Sequence, residues 1–282
     1  MATVLITGAS KGIGWATATE LGQAGHKVYA TMRNPAGAQE GLPITILAMD
    51  VDSDDSVASV FGRLASEGVT IDALVNNAGI ERHGTIEELP MEAFRAVMET
   101  NYFGALRCIR QVIPQMRERG SGCIVNVTSV AGKIASTPLS AYTASKFALE
   151  ALSEALAQEM KPFGVRVAIV EPGIIDTAMA HAIEVPAPSR YPQGSQFSSL
   201  FRASLQHPTP PSVVAAVIRD VIESGTWTLR HPAGPDAAPF LTWRSAMSDE
   251  QWTEFNSLDA EAFRQRVRKD FGMDLDLPAG RA

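Results

Sequence analysis

The chain has 282 residues, is 45% apolar and carries a formal charge of −7 from 24 basic and 31 acidic side chains. That length suits one large α/β domain or two small ones, and the apolar content suits an ordinary packed core. A mildly acidic balance argues against a nucleic-acid partner, which requires a clustered basic face. Two cysteines cannot make a disulfide framework. Cys108 falls in a helical pattern and Cys123 opens a strand, so both read as buried thiols in a reducing compartment, and the cytoplasm is the expected location. The chain enters a strand signal at once, leaving no room for a signal peptide, and no apolar run approaches the ~20 residues of a membrane span.

Strand-like and helix-like segments then alternate, which predicts a doubly wound parallel sheet of about seven strands with helices on both faces. The first strand, over 3–7, runs into Thr7-Gly-Ala-Ser-Lys-Gly-Ile-Gly14 and a helix over 13–24. A strand, a glycine-rich turn and a helix start make a phosphate site, because free backbone N–H groups and the helix dipole both favour an anion. The spacing of Gly8, Gly12 and Gly14 is GxxxGxG rather than the commoner GxGxxG. Strands over 27–32, 44–49 and 71–76 and a helix over 54–67 follow. Asp50 comes after the third strand, where it could also cap that helix, although Ser53 is the better cap. Asn76-Asn-Ala-Gly79 ends the fourth strand, and small residues there allow close backbone approach. The long helical pattern over 91–118 is expected to bend near Asn101 or Gly104.

The fifth strand, over 122–128, delivers Ser129. The helix over 140–161 carries Tyr142 and Lys146, whose i,i+4 spacing sets them on one face. A phenol beside an ammonium is a stronger acid than in water, since the cation favours the phenolate. Such a pair can protonate a carbonyl oxygen while another group delivers hydride. A sixth strand over 164–171 leads to Pro172-Gly173, and a helix over 212–224 precedes a last strand over 226–230. The stretch 178–210 holds Tyr191, Phe197, Leu200 and Phe201 in a Pro/Ser-rich context and reads as a lid. The tail over 231–282 is Pro-rich, then helical from about 248 to 271, and is expected to dock on the core. The five histidines are scattered, so no metal is expected. His181 and Tyr191 read as solvated loop residues or, less favourably, as substrate contacts.

These motifs, in this order, resemble the short-chain dehydrogenase/reductase family over about residues 3–230, nearest its 17β-hydroxysteroid and retinol dehydrogenase branch. The nearer likeness lies in Asn126-Val-Thr-Ser-Val-Ala-Gly132, Tyr142-Thr-Ala-Ser-Lys-Phe-Ala-Leu-Glu150 and Met160-Lys-Pro-Phe-Gly164. The resemblance implies a single-domain Rossmann fold over 1–230 and a nicotinamide cofactor. It implies cofactor contacts at Gly8, Ser10, Lys11, Gly12, Ile13 and Gly14 in the first turn. Further contacts fall at Arg33, at Asp50 and Val51 around the adenine, at Asn77, Ala78 and Gly79, and at Pro172, Gly173, Ile175 and Thr177. NAD-specific relatives carry an acid after the second strand; here Met32 and Arg33 stand there, with Lys11 in the turn, so NADP(H) is expected.

By the same resemblance Tyr142 exchanges the proton, its pKa brought down by Lys146 and by the charge of the oxidised nicotinamide. Lys146 also holds the nicotinamide ribose, Ser129 holds the substrate oxygen, and Asn101 anchors a water that relays protons. Asn101 could equally serve a local backbone bond in a bent helix. The expected reaction interconverts a hydrophobic ketone or aldehyde and its alcohol. Two alternatives stay open: a catalytically silent NADP(H)-binding scaffold, which has no need of an intact Ser129, Tyr142 and Lys146, and an epimerase or dehydratase, which usually has a larger C-terminal domain. Family members commonly pair helices across a two-fold axis, so a homodimer or homotetramer is expected. Phe147, Leu149, Leu152, Ala155 and Leu156 could supply the seam.

Overall fold

A computed structural model describes residues 1–36, 43–183 and 189–277. Within them seven strands form one parallel sheet: β1 (Thr3–Ile6), β2 (Lys27–Met32), β3 (Ile44–Ala48), β4 (Ala73–Asn76), β5 (Gly122–Val127), β6 (Val165–Pro172) and β7 (Arg230–Ala233). Their order across the sheet is β3-β2-β1-β4-β5-β6-β7, so the winding reverses between β1 and β4. A crevice opens at such a reversal, beyond the carboxyl ends of the strands. The turn after β1, the Asn77 turn after β4 and Ser129 after β5 all converge there.

Pleat alternation explains why both faces are covered. Val4 and Ile6 point to one side of β1 and Leu5 to the other. On the first side, α1 (Gly12–Gln23) packs through Ala18 and Leu21 beside Val214 and Ile218. On the second side, Leu5 and Leu74 meet Phe61 and Leu64 of α2 (Asp54–Ser66) and the helices that follow. Ser53 caps α2, its Oγ accepting from Ser56 N at 3.2 Å, as its position suggests.

The pattern over 91–118 resolves into α3 (Met91–Met98), a π-helical turn over Glu99–Phe103 and α4 (Gly104–Arg119). The bend therefore falls on Asn101, whose side chain takes up polar groups from neighbouring elements. Next come α5 (Ser140–Met160), α6 (Ala178–His181), α7 (Gln193–Ser204) and α8 (Pro211–Ser224), the last supplying Val214 and Ile218. The last strand lies about four residues later than its expected range of 226–230, at Arg230–Ala233, and so runs past the boundary expected at 230. Beyond it the chain forms α9 (Ala237–Ser245), α10 (Asp249–Asn256) and α11 (Ala260–Phe271). The Pro-rich start of the tail is thus helical, and its later half is two helices, each begun by its own cap at Ser248 or Asp259. Of the stretches expected as lid and tail, 184–188 and 278–282 lie outside the described residues. Within the described residues no helix is long and apolar enough to cross a membrane.

Candidate active site

A single cavity of about 800 Å³ runs from the glycine turn to the C-terminal helices. At one end are Gly8, Ser10, Lys11, Gly12 and Ile13, with Arg33, Asp50 and Val51 nearby. Gly8 and Gly12 hold φ of +65° and +57°, in the left-handed region that side chains resist. A Cβ on Gly8 would lie 2.6 Å from Ala78 Cα, and one on Gly14 would lie 2.5 Å from Asn77 Nδ2. Gly14 itself is buried behind the wall, so its part is to let the turn close.

The Asn77 turn is tied to the glycine turn by four bonds. Asn77 N and Ala78 N both donate to Thr7 Oγ1 at 3.0 Å, and Asn77 Nδ2 donates to Thr7 O at 3.0 Å and Gly8 O at 3.1 Å. The backbone of Lys11 is extended at the start of α1, and no side chain caps that end. Its first-turn N–H groups are therefore free for an anion. Together with Arg33 and Lys11 on the cavity wall, this cradle fits a dinucleotide.

The middle of the cavity holds Ser129, Tyr142 and Lys146. Ser129 Oγ accepts from Ala131 N at 3.1 Å and donates to Pro172 O at 3.4 Å. Lys146 Nζ donates to Val127 O at 2.9 Å and lies 5.5 Å from the Tyr142 ring centre. Burial brings the Lys146 ammonium down to about 8, while the charges of Glu81 and Glu150 act in the opposite direction. The Tyr142 phenol stands well above its ordinary value. Its enclosure is the main cause, Glu81 adds to it, and the Ser129 hydroxyl opposes both. The depression expected from Lys146 does not govern the phenol in the protein alone, where desolvation of the phenolate dominates.

Asn101 is buried and off the cavity wall. It donates to Ile80 O at 3.0 Å and Ser145 Oγ at 2.9 Å, and accepts from Ile80 N at 2.8 Å. Its side chain ties the π turn to the Asn77–Ile80 segment and to α5. A Cβ on Gly79 would lie 3.3 Å from Asn101 Oδ1 and 3.7 Å from Lys146 Nζ, so Asn101 sits directly behind that turn.

Pro172, Gly173, Ile175 and Thr177 all line the cavity. Thr177 caps α6, its Oγ1 accepting from Ala180 N at 3.2 Å. Asp50 lines the cavity and accepts from Asp52 N at 3.1 Å.

Three features of the site go beyond what is read from the sequence. Asp236, beyond β7, accepts from Ile174 N at 2.7 Å, and a Cβ on Gly173 would lie 2.2 Å from Asp236 Oδ1. Gly173 is small because a tail carboxyl occupies that space. Second, Trp243, Trp252 and Phe255 of the tail line the same cavity as Tyr142, with Phe197 and Phe201 of α7. Trp252 Nε1 donates to Ala135 O at 2.7 Å, fastening the tail to the loop after Ser129. Third, His83, one of the five scattered histidines, also lines the cavity. It pairs with Glu81, and the one available signal is that both lie within four residues of the Asn76–Gly79 motif. His181 and Tyr191 stay outside, bonded to Asp176 and Glu87, so the solvated reading holds for them.

The comparisons agree with this architecture. Residues 2–186 match the sequence profile described as short chain dehydrogenase. An uncharacterized oxidoreductase, YusZ, of Bacillus subtilis is 35% identical over 266 residues, covering 88% of this chain and 94% of that protein. Bovine retinol dehydrogenase 8 is 33% identical over 266 residues, covering 86% and 85%. A short-chain dehydrogenase structure from Streptomyces avermitilis superposes with a TM-score of 0.76 at 34% identity, covering 90% and 95%. One from Burkholderia cenocepacia, in complex with NADP, gives 0.71 at 26% identity, covering 94% and 97%. The chain belongs to the short-chain dehydrogenase family of oxidoreductases, which use a nicotinamide cofactor.

Proposed function

We propose that this oxidoreductase interconverts a hydrophobic ketone or aldehyde and its alcohol with NADP(H), using Tyr142 as proton donor and acceptor. The observation that carries the reading is one cavity with three zones in series: a cationic glycine cradle, the Ser129–Tyr142–Lys146 group, and a wall of aromatic rings. A bound nicotinamide supplies or takes up the hydride equivalent, and its oxidised ring brings a positive charge. Gly8, Gly12 and the open start of α1 hold the pyrophosphate. Arg33 and Lys11 favour a 2′-phosphate, since two cations there would leave an unphosphorylated ribose unmatched. The NADP complex of the Burkholderia relative supports the same preference.

Ser129 holds the substrate oxygen with a fixed hydroxyl, whose orientation is set by Ala131 N and Pro172 O. Tyr142 carries the proton for that oxygen on its phenol. Lys146 is fixed through Val127 O and keeps most of its charge at pH 7, losing it as the pH passes about 8. That charge holds the ribose hydroxyls and steadies the phenolate left after proton transfer. Asn101 positions α5 and the Gly79 turn from behind. The rings of Trp252 and Phe255 exclude water and favour an apolar body, in keeping with the name of the retinol relative. Phe103 and Phe147 are 43% and 41% exposed and favour a homo-oligomer, whereas Leu149 and Leu156 of the expected seam are core residues. Sedimentation at the mass of one 30.2 kDa chain would remove that part of the proposal.

The test is turnover on a panel of bulky ketones and aldehydes with NADPH and with NADH. The wild type should prefer NADPH, and Tyr142→Phe should lose about 10²–10⁴-fold in kcat while still binding NADPH. Equal turnover by both proteins would end the role of Tyr142. Tight NADPH binding with no turnover across the panel would favour the scaffold reading instead.

A further inference from the structure

Two ionisable side chains share the cavity with Tyr142 and have no part in the steps above. Glu81 and His83 follow the fourth strand's turn, their side chains are 8% and 11% exposed, and His83 Nε2 lies 2.7 Å from Glu81 Oε1. A carboxylate in a largely apolar enclosure is costly unless it is partnered. His83 partners one oxygen. The other, Oε2, bonds to no described residue and is not among the walled-off polar atoms, so it keeps accessible surface, and Glu81 lines the cavity.

The segment is also held in place. Ile80 N and O are both bonded by Asn101, and Gly84 N donates to Pro138 O at 3.1 Å. The dyad is thus fixed on both sides, at Ile80 and at Gly84. Its charge also reaches the reacting centre, since Glu81 acts on both Tyr142 and Lys146.

We propose that Glu81, oriented by His83, is a specificity-determining residue that accepts a hydrogen bond from a donor group, hydroxyl or ammonium, close to the substrate's carbonyl. A carboxylate accepts from such a donor and repels an acid, so the favoured substrate is an apolar body with a polar head bearing two functions. One function is the oxygen that Ser129 and Tyr142 serve. The other is a donor for Glu81. This rests on the reading of Tyr142 and the apolar cavity given above.

Calorimetry on the full chain saturated with NADPH, which cannot oxidise an alcohol, tests it, using octylamine, octanol, octyl methyl ether and octanoate as probes. The ether shares the chain length but donates nothing. The amine, the alcohol or both should bind about tenfold more tightly than the ether, the size expected of a hydrogen bond to a charged acceptor, and octanoate should bind least. Which of the two exceeds the ether tells ammonium from hydroxyl as the preferred donor. Glu81→Gln, of the same shape, should bring whichever of the amine and alcohol exceeded the ether to within about threefold of it, while NADPH affinity, read in a separate titration of the cofactor-free chain, reports that the fold is intact. His83→Gln, which leaves the carboxylate but loosens it, should give an intermediate ratio. Wild-type binding of amine and alcohol no tighter than the ether, an unchanged ratio of the preferred donor to the ether in Glu81→Gln, or tightest binding of octanoate to the wild type overturns this inference and leaves the reductase reading standing. Failure of all four probes to bind overturns the apolar cavity and this inference together.

Discussion

The two ends of the cavity are built from different materials. The cradle around β1, α1 and the Asn77 turn consists of glycines, short polar side chains and backbone groups, locked by bonds near 3.0 Å. The far end is made of rings from α7, α9, α10 and α11. Trp243 meets Phe255 edge-on at 5.0 Å and Phe271 at 4.8 Å, and Trp252 stacks on Phe255 at 5.6 Å. The cradle grips by geometry: a pyrophosphate needs N–H groups at fixed points and space where a Cβ would intrude. The ring end grips by apolar area, which many ring arrangements can supply. One end therefore tolerates almost no change of residue type, while the other should accept exchanges that keep volume.

The largest expected effect breaks the ring end alone. Phe255→Ala, at the centre of that cluster, should cost about 3–5 kcal/mol and weaken binding of bulky carbonyls, yet leave NADPH affinity nearly unchanged. Chemical denaturation and cofactor titration read the two halves separately. Equal loss of both would show that the ends are coupled. Gly8→Ala attacks the cradle instead. The new Cβ meets Ala78 Cα at 2.6 Å in a left-handed backbone, a cost of roughly 2–4 kcal/mol, and NADPH affinity should fall with it. Retention of normal NADPH affinity in that variant would mean the cradle is softer than its contacts imply.

The smallest expected effect sharpens the comparison at the level of charge. Behind the cavity, Glu171 is buried near Glu150, with Arg230 and Lys133 opposite. Burial first, and then Glu150, raise its carboxyl to about 7 from an ordinary 4.5. The folded chain therefore keeps a proton that the unfolded chain releases between those two values. Stability from this group is full below pH 4.5 and is lost as the pH rises through 7. Glu171→Gln should gain on the wild type in stability over that window, by less than about 3 kcal/mol, read as a rise in Tm. A difference in Tm that is flat with pH would remove Glu171 from the account.

Most of the sheet was legible because its signals are local. Apolar runs such as Cys123–Val127 mark buried strands, Ser53 marks a helix start, and the glycine turn marks a helix that must begin close to a backbone. Gly8, Ser129, Tyr142 and Lys146 come together in space because each sits at a strand end or on a helix face whose direction the parallel winding dictates. The bend over 91–118 was readable as a bend. That Asn101 would satisfy both polar groups of Ile80 was not, because its partners lie 21 residues away.

Sequence by itself determined the α/β winding, the glycine cradle and the spacing of the phenol, the ammonium and the hydroxyl, since each depends on residues a few positions apart. Tertiary structure alone decided that Asp236 would press on Gly173, that Trp252 would reach Ala135, and that Glu81 and His83 would line the same cavity as Tyr142. Those contacts join segments as far as 117 residues apart. Nothing in a local pattern records where a distant ring or carboxylate will come to rest, because packing against the finished sheet, and not backbone preference, chooses the place.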